Sequence, residues 1–514
     1  MLNVVLWLPL AVGLICLALP RRAAGPVSLA GALATLGLAI ALVADFSTAT
    51  PGLQHVVDES WIADLGVRYQ LGVDGISLFL VALTALAWAG AIGFSLRRQA
   101  ERQRNYYFLL GLAETATLGA FLAQDLLLFV LFFDLMLIPF FFLIGSFGSG
   151  DRVAATLKMI VYTLVGSLLM LVGAIATAIL SADATGELTF SIAELRANVL
   201  AGGTQDWIFC FFAAAFLVKM PAFPIHGWMP DAYRAAPLPV LALLSGVLPK
   251  VAAYGFLRVV LPIYPDATVR FQELILVIAL ASILYGSVMA FTQTNVRLIA
   301  GYSSIAQLGF ITAGVFALRA DAADGAVLQM VNHGLVVIPI FLIIALLAER
   351  AETEDLRAMG GLAKRAPALA AMFLIVTLAT LAMPGTANFV GEFYILAGLF
   401  QEKIVYAVVA VSGVALAAFY ALRLYQRTMH NRLPSGLQSR EISLRDGAVL
   451  APLVAAIVGL ALYPGLILER GEASVEDKVG AVAAAQCETY ATETVGEPSA
   501  AGVDCPDELA GVAE

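Results

Sequence analysis

The sequence predicts an all-α membrane protein with about 14 transmembrane helices. Of its 514 residues, 61% are hydrophobic and only 13% are charged, and the mean hydropathy is +0.90. Soluble domains carry about 25% charged residues, so this chain has too little polar surface to cover its apolar mass in water. The apolar runs are long and continuous rather than alternating, which favours helices over membrane strands. Composition thus excludes an ordinary soluble enzyme and a disordered chain, and a net charge of −9 argues against nucleic-acid binding.

Apolar runs of roughly 18 residues or more define the individual helices. In chain order the predicted helices 1 to 14 cover residues 2–20, 26–44, 74–96, 106–124, 126–148, 155–180, 206–226, 238–262, 271–292, 296–318, 324–348, 367–397, 402–428 and 446–468. The first run has no basic leader, so we interpret it as a retained helix and not as a removed signal peptide.

The predicted helices group into larger units. Helices 4–8 and 9–13 form two sets of five, and an odd number of helices inverts the second set relative to the first. The predicted units are three N-terminal helices in 1–105, a first repeat in 106–262, a second repeat in 271–428, helix 14 in 446–468 and an acidic disordered tail in 469–514.

The distribution of basic residues predicts the orientation in the membrane. Most of the 29 Lys and Arg residues lie in, or at the edges of, the loops that follow odd-numbered helices. Cytoplasmic loops are enriched in Lys and Arg, so both termini are predicted on the non-cytoplasmic side. Cys487 and Cys505 in the tail lie on that side, where a disulfide can form.

The four cysteines, Cys16, Cys210, Cys487 and Cys505, form no Cys-x-x-Cys pair, and no nucleotide-binding glycine motif follows a strand. The sequence therefore predicts no cofactor and no metal in this chain.

Five titratable residues stand near the centres of five predicted helices. They are Asp134, Lys219, Lys250, His333 and Glu392, on helices 5, 7, 8, 11 and 12. A charge at the bilayer centre costs about 2.5–3.5 kcal/mol, so such residues persist when they are paired, wetted or functional. We interpret the five as a proton or cation path, with Asp134 and Lys219 as a switch, Lys250 and His333 as relays and Glu392 as the release group. The alternative is that they only hold helices together.

Two other basic residues, Lys158 and Arg258, lie nearer to helix ends. Long basic side chains can extend from there to the membrane surface, so a structural role is favoured for both.

Prolines predict interruptions beside several of these charges. Pro221 follows Lys219, Pro384 precedes Glu392 in predicted helix 12, and Pro249 directly precedes Lys250. Proline removes a backbone donor, and irregular backbone at membrane depth occurs only beside protein or a wet cavity. Helices 7 and 12 are therefore predicted to be broken, and Pro249 is predicted to free the Ser245 carbonyl for Lys250.

The motifs around these residues resemble those of the antiporter-like membrane subunits of proton-pumping NADH–quinone oxidoreductase, complex I. The resemblance covers about residues 70–430 and is carried by LGVDGIS (71–77), FFDLMLIPFFFLIG (132–145), KMPAFPIHGWMPDAY (219–233), KVAAYGFLR (250–258), LIAGYSSIAQLGF (298–310) and MPGTANFVGEF (383–393). The family's midplane charges fall on the five residues named above. The resemblance implies 14 helices with two inverted repeats, a bacterial inner membrane, and flavin and iron–sulfur clusters only in partner subunits.

Within the family, the acid at Glu392 favours the M group, because the L and N groups usually carry Lys there. The resemblance implies neighbours of the L and N type in one complex. Two positions depart from the family pattern: Asp134 stands where Glu is usual, and Gln307 where many relatives have His. The alternatives are a sodium/proton antiporter subunit and a membrane module of a hydrogenase-like complex.

Overall fold

The structure is a computed structural model that describes residues 1–50, 52–96, 103–433 and 440–495. Its first half contains α1 (Leu2–Ala18), α2 (Arg21–Asp45), α3 (Gly75–Ser95), α4 (Gln103–Leu122), α5 (Leu126–Leu135), α6 (Leu137–Phe147), α7 (Arg152–Thr185), α8 (Ile192–Ala197), α9 (Gly202–Lys219) and α10 (Met229–Ala235). Its second half contains α11 (Leu238–Gly246), α12 (Leu248–Gly255), α13 (Leu261–Ile263), α14 (Pro265–Thr292), α15 (Val296–Val315), α16 (Ala320–Ala351), α17 (Pro367–Thr380), α18 (Ala387–Glu402), α19 (Ile404–Met429), α20 (Leu444–Leu462) and α21 (Gly465–Val495).

The fold is that of a helical membrane protein. Within the described residues, ten helical segments are long and apolar enough to cross a membrane, and α1 and α17 are shorter apolar helices. The count of fourteen transmembrane helices and the inverted arrangement of the two repeats stay predictions.

Three segments form the centre of the molecule. The most apolar stretch of Leu238–Ile263, of α15 and of α16 is completely buried by other helices. By contrast, in α2, α19 and α20 only about a third or less of each helix's most apolar stretch is buried. These helices therefore present apolar side chains outwards, as lipid-facing helices do. The central segments are the ones that carry Lys250, Gln307 and His333.

The helices break at the places that their prolines predict. α9 ends at Lys219, and regular helix resumes only at Met229. The predicted helix 12 is divided into α17 and α18, with Ala382 and Gly385 at positive φ between them. A further break, which we did not predict, separates α5 from α6 at Met136, three residues before Pro139.

A β-hairpin is the one correction to the all-α prediction within the described residues. Strands β1 (Gln54–Ile62) and β2 (Val67–Val73) pair antiparallel, and Gly66 at φ 64° helps to close the turn between them. Asp74 follows β2 directly and caps the N-terminus of α3 through a reciprocal pair of hydrogen bonds with Ser77. The hairpin therefore fixes the start of a central helix.

The prediction of a disordered tail from residue 469 is wrong as far as residue 495. The segment forms α21, which buries Val475, Val479 and Val482 on one face. Spacings of three and four residues place these valines in one stripe, so burial against the bundle stabilises the helix despite its acidic composition. Residues 496–514, including Cys505, lie outside the described residues.

An ion pair fixes α21 to the loop region around α8. Arg196 donates to both carboxylate oxygens of Asp477 at 2.8 and 2.7 Å, and Lys478 donates to the same carboxylate at 2.5 Å. Burial opposes ionisation of Asp477, but these hydrogen bonds hold its pKa at about 2. The docking contact therefore keeps its charge throughout the physiological pH range.

We expect Val479→Asp to release α21 from the bundle. An unpaired charge in this apolar contact destabilises docking by about 2 kcal/mol or more. Limited proteolysis of the membrane-embedded protein should then cut the C-terminal segment faster. Ala473→Asp is the matched control, because Ala473 is exposed on the same helix; equal cleavage of both variants and the wild type would contradict the docking.

Candidate functional site

Lys219 lies at the last residue of α9, where the helix breaks. Its Nζ donates a 2.6 Å hydrogen bond to the Phe133 carbonyl and lies 3.8 Å from the centre of the Phe133 ring. The side chain is buried, although the residue carries an ammonium group. A single carbonyl and an aromatic face stabilise an ammonium less than a carboxylate does, so the site can hold this cation without locking it in place.

Asp134 does not contact Lys219 directly in the structure, and their predicted role as a switch stays a prediction. No ion pair within 4.0 Å joins the two residues, both of which the structure describes, and the buried Oδ1 of Asp134 has no hydrogen-bond partner. The physical reason is the short Asp side chain together with the break at Met136, which leaves the Phe133 carbonyl, not the carboxylate, beside the ammonium. The carboxylate is one residue away from the carbonyl that Lys219 uses.

Lys250 and His333 are in direct contact. Lys250 Nζ lies 2.8 Å from His333 Nδ1 and donates a second hydrogen bond of 3.0 Å to the Ser245 carbonyl. The second bond is the one predicted from Pro249, which cannot use that carbonyl in the helix. Lys250 is completely buried and His333 is 2% exposed. Two bases in contact in an apolar core cannot both be charged without a large penalty, so at most one of them carries a proton at a time.

Glu392 lies in a cluster of amide side chains. Gln307 Nε2 donates to Glu392 Oε1 at 2.8 Å, and Gln329 Nε2 donates to Gln307 Oε1 at 2.7 Å. Glu392 is 3% exposed, so these amides replace water as donors to its carboxylate. Gln307, the departure from the family pattern, therefore binds the acid directly but cannot itself carry a proton, because an amide does not titrate.

The helices that carry His333 and Glu392 also carry a group of buried polar atoms that have no hydrogen-bond partner among the described residues. They are His333 Nε2, Asn332 Oδ1, Gln329 Oε1 and both amide atoms of Asn388. α16 and α18, which carry them, pack against each other, and Asn332 also donates to the Ala387 carbonyl at 2.7 Å. Buried polar groups without protein partners are the sites that internal water occupies. The set is suited to holding water between His333 and Glu392.

The structure thus joins some of the predicted residues and separates others. Lys250 and His333 touch, whereas no direct hydrogen bond within the described residues joins Lys219 to Lys250 or His333 to Glu392. We call the five predicted site residues the row. Proton transfer along the row needs water or side-chain movement between Lys219 and Lys250 and between His333 and Glu392.

Several polar residues in the core were not singled out from the sequence. Asn388, Gln329 and Glu114 are buried, and Glu114 Oε1 has no hydrogen-bond partner. The signal for Glu114 was present, since it is an acid inside the apolar run LLGLAETATLGAF of α4. Gln329 and Asn388 each precede a predicted site residue by four positions, which is one helical turn on the same face.

The two residues assigned a structural role behave differently. Lys158 extends outwards and pairs with Asp231 at 2.8 Å with both side chains exposed. Arg258 does not extend to the surface, which corrects that expectation: its side chain is 4% exposed and pairs with Asp74 at 2.6 Å. No group of three or more metal-ligating side chains occurs within the residues that the structure describes.

Buried lysines, a histidine and acids on interrupted membrane helices define an antiporter-like membrane subunit. The family model described as NADH:quinone oxidoreductase/Mrp antiporter, TM, matches residues 123–417, which is more than half of the chain. The chain therefore belongs to this family, as its motifs predicted.

The relatives specify the group within the family. The chain is 36% identical to the NADH-quinone oxidoreductase subunit M of Rhodobacter capsulatus over 486 residues, which cover 91% of this chain and 94% of that protein. It also matches a chain of respiratory complex I from Thermus thermophilus with a TM-score of 0.87 and 29% identity, over 94% of this chain and 100% of that one. The predicted similarity to the M group is confirmed.

A second solved structure shares the fold. A chain of the Mrp complex from Dietzia sp. matches with a TM-score of 0.81 and 22% identity, over 94% of this chain and 98% of that one. At this identity the likeness concerns the fold alone.

Proposed function

We propose that this chain is the proton-translocating subunit M of a bacterial NADH–quinone oxidoreductase and that Asp134, Lys219, Lys250, His333 and Glu392 carry the proton. The chain lies in the inner membrane between antiporter-like neighbours of the L and N type, with both termini on the non-cytoplasmic side. It acts as a subunit of the enzyme and holds no redox centre; flavin and iron–sulfur clusters belong to partner subunits.

The observation that carries the proposal is the 2.8 Å contact between Lys250 Nζ and His333 Nδ1. A protonated lysine donates to a neutral imidazole there, and moving the proton across the hydrogen bond leaves a neutral lysine and an imidazolium. Imidazole has two nitrogens, so it can accept on Nδ1 and release from Nε2. His333 Nε2 faces no protein partner and is free to pass the proton to water.

Asp134 controls the other end of the row through Lys219. A carboxylate that approaches the ammonium stabilises its charged form, and a carboxylate that withdraws favours release of the proton. In the structure Lys219 rests on the Phe133 carbonyl, so the pair is in its open arrangement. A small movement of the Asp134 side chain is enough to switch Lys219 between loaded and empty.

Glu392 receives the proton at the far end. The carboxylate accepts a hydrogen bond from Gln307, which stabilises the ionised form until a proton arrives. Because Gln307 and Gln329 cannot titrate, the proton reaches Glu392 through water held by Asn332 and Asn388. Transport against a membrane potential requires about 2.3 kcal/mol per charge for each 100 mV, and quinone reduction in partner subunits supplies it.

A second candidate function is sodium/proton antiport, because the description of the matching family model includes the Mrp antiporter beside NADH:quinone oxidoreductase. The two are separated by measuring NADH-driven acidification of inverted membrane vesicles that contain the whole complex. We expect full acidification in sodium-free buffer. Acidification that appears only with added sodium would contradict proton pumping and support the antiporter.

A further inference from the structure

A large cavity with several charged side chains in its wall lies at the end of the molecule that carries the β-hairpin. Its volume is about 510 Å³, and it is enclosed by the start of α3, the segment before β1, α8 and α21. Its polar lining residues are Gln70, Asp74, Gln124, Arg196, Arg258, Ser474, Asp477 and Lys478. None of them belongs to the row of titratable groups proposed above.

The inner wall of this cavity is a buried ion pair. Arg258 donates to Asp74 Oδ2 at 2.6 Å, and the two side chains are 4% and 3% exposed. Asp74 Oδ1 is held separately by the backbone N–H of Ser77. Arg258 Nε has no hydrogen-bond partner. A buried pair of this kind is a weak source of stability, so its presence points to another role.

One helix connects this pair to the centre of the membrane. Lys250, Tyr254 and Arg258 follow at intervals of four residues, and Arg258 lies about 12 Å along the helix from Lys250 at 1.5 Å per residue. Tyr254 is fully buried, and its hydroxyl donates to the Phe121 carbonyl at 3.1 Å. The helix widens into a π-turn at Phe256–Val260, which is a feature common at functional sites.

We propose that Tyr254 and Asp74 form a second branch of the proton path, which leads from Lys250 to this cavity beside the branch that ends at Glu392, and that the cavity is the water-filled opening of this second branch on the hairpin side. The inference rests on the proposed function, since it needs Lys250 to carry a proton. Lys250 gives a proton to the Tyr254 hydroxyl, directly or through water, while that hydroxyl breaks its hydrogen bond to the Phe121 carbonyl and passes its own proton on. The Asp74 carboxylate takes this proton and loses it to water in the cavity.

Arg258 is a positioning residue in this step, because its guanidinium keeps its charge throughout. A proton on Asp74 leaves that charge unpaired in a buried site. The protonated state is therefore short-lived, and the nearest water to receive the proton is in the cavity. The same penalty opposes entry of a proton from the cavity, so the ion pair limits leakage back to Lys250.

Tyr254→Phe tests the route to the cavity, because it removes only the hydroxyl. We expect a clear fall in protons pumped per NADH oxidised by the assembled complex, because the branch to the cavity is closed while the branch through Glu392 stays open. Tyr264→Phe is the matched control: Tyr264 is also fully buried, its hydroxyl bonds Thr177 at 2.7 Å, and it lies off the route. If Tyr254→Phe pumps as well as Tyr264→Phe while Lys219→Ala fails to pump, the route to the cavity is wrong and the proposed function stands. If both Tyr254→Phe and Lys219→Ala pump normally, the route to the cavity and the proposed function are both wrong.

Asp74→Asn tests the carboxylate itself. Asparagine still caps α3 but cannot take up a proton, so we expect the same loss of pumping as for Tyr254→Phe. The matched control is Glu354→Gln, which removes the carboxylate of the largely buried ion pair with Arg297 elsewhere in the molecule. Equal pumping by the two variants would show that the Asp74–Arg258 pair only holds helices together.

Blocking the cavity gives an independent measurement that leaves the ion pair unchanged. Ala473, on α21, lines the cavity and is exposed. In a Cys210→Ser background, Ala473→Cys is labelled with a bulky maleimide in the purified complex, which is then reconstituted into liposomes. We expect the label to reduce pumping clearly, whereas a label at Glu472→Cys leaves it unchanged. Unaltered pumping by the complex labelled at position 473 contradicts the opening.

Discussion

Replacing Lys219 with alanine is expected to reduce NADH-driven acidification of inverted vesicles by about tenfold or more, because the group that Asp134 loads and empties is gone. The ammonium stands at the break between α9 and α10, where it contacts only the Phe133 carbonyl and ring among the groups described above. Alanine removes a buried charge and leaves no acid without its ion-pair partner, so the fold should tolerate the change better than the loss of Asp74 or Arg258.

The control for this variant is Lys158→Ala. Lys158 is also a lysine on a membrane helix, but it is exposed and pairs with Asp231 at the surface. Exposed ion pairs contribute only about 0–1 kcal/mol, so this variant should assemble and pump normally. A native gel must show intact complex for both variants. Normal acidification by an assembled Lys219→Ala complex would exclude Lys219 from the path.

Glu392→Gln is also expected to reduce pumping, for a different reason. The amide has nearly the same shape and can still accept a hydrogen bond from Gln307, so the cluster with Gln329 is kept. It cannot bind a proton, however, and the row loses its last acceptor. We expect a clear fall in protons pumped per NADH oxidised, measured in the same vesicles, and a smaller one than for Lys219→Ala because the branch through Tyr254 stays open.

Glu402→Gln is the matched control on the same helix, because Glu402 lies at the C-terminal end of α18 and outside the cluster. If Glu392→Gln pumps as well as Glu402→Gln, then the proton leaves the row before it reaches α18. That result would favour the route through Tyr254 over the one through Glu392.

The local chemistry of the site was predictable wherever a proline or glycine determined the backbone. Pro249 predicted the freed Ser245 carbonyl, and the carbonyl accepts from Lys250. Pro221 predicted the break after Lys219, and α9 ends there. These signals are local, because a proline removes a specific hydrogen bond four residues earlier whatever the rest of the fold does.

Contacts between helices were less predictable. The bond from Lys219 to the Phe133 carbonyl could not be predicted, because side-chain contact depends on the rotation of α5 and on its break at Met136. Burial of the Asp74–Arg258 pair could not be predicted either, since 184 residues separate its members in the sequence.

The C-terminal helix was missed for a different reason. Its acidic, alanine-rich composition is typical of a solvated tail, and this outweighed the apolar stripe of Val475, Val479 and Val482. The spacing of these valines was the signal that could have predicted a packed helix.

The most direct test of the central claim is the number of protons translocated per NADH oxidised by the purified complex in sodium-free proteoliposomes, compared between the wild type and Lys250→Ala. Lys250 joins both halves of the row through its contact with His333. We predict that the variant oxidises NADH in the presence of a protonophore but translocates clearly fewer protons per NADH than the wild type. The same number in the assembled variant and the wild type would contradict proton transfer through this chain's buried residues.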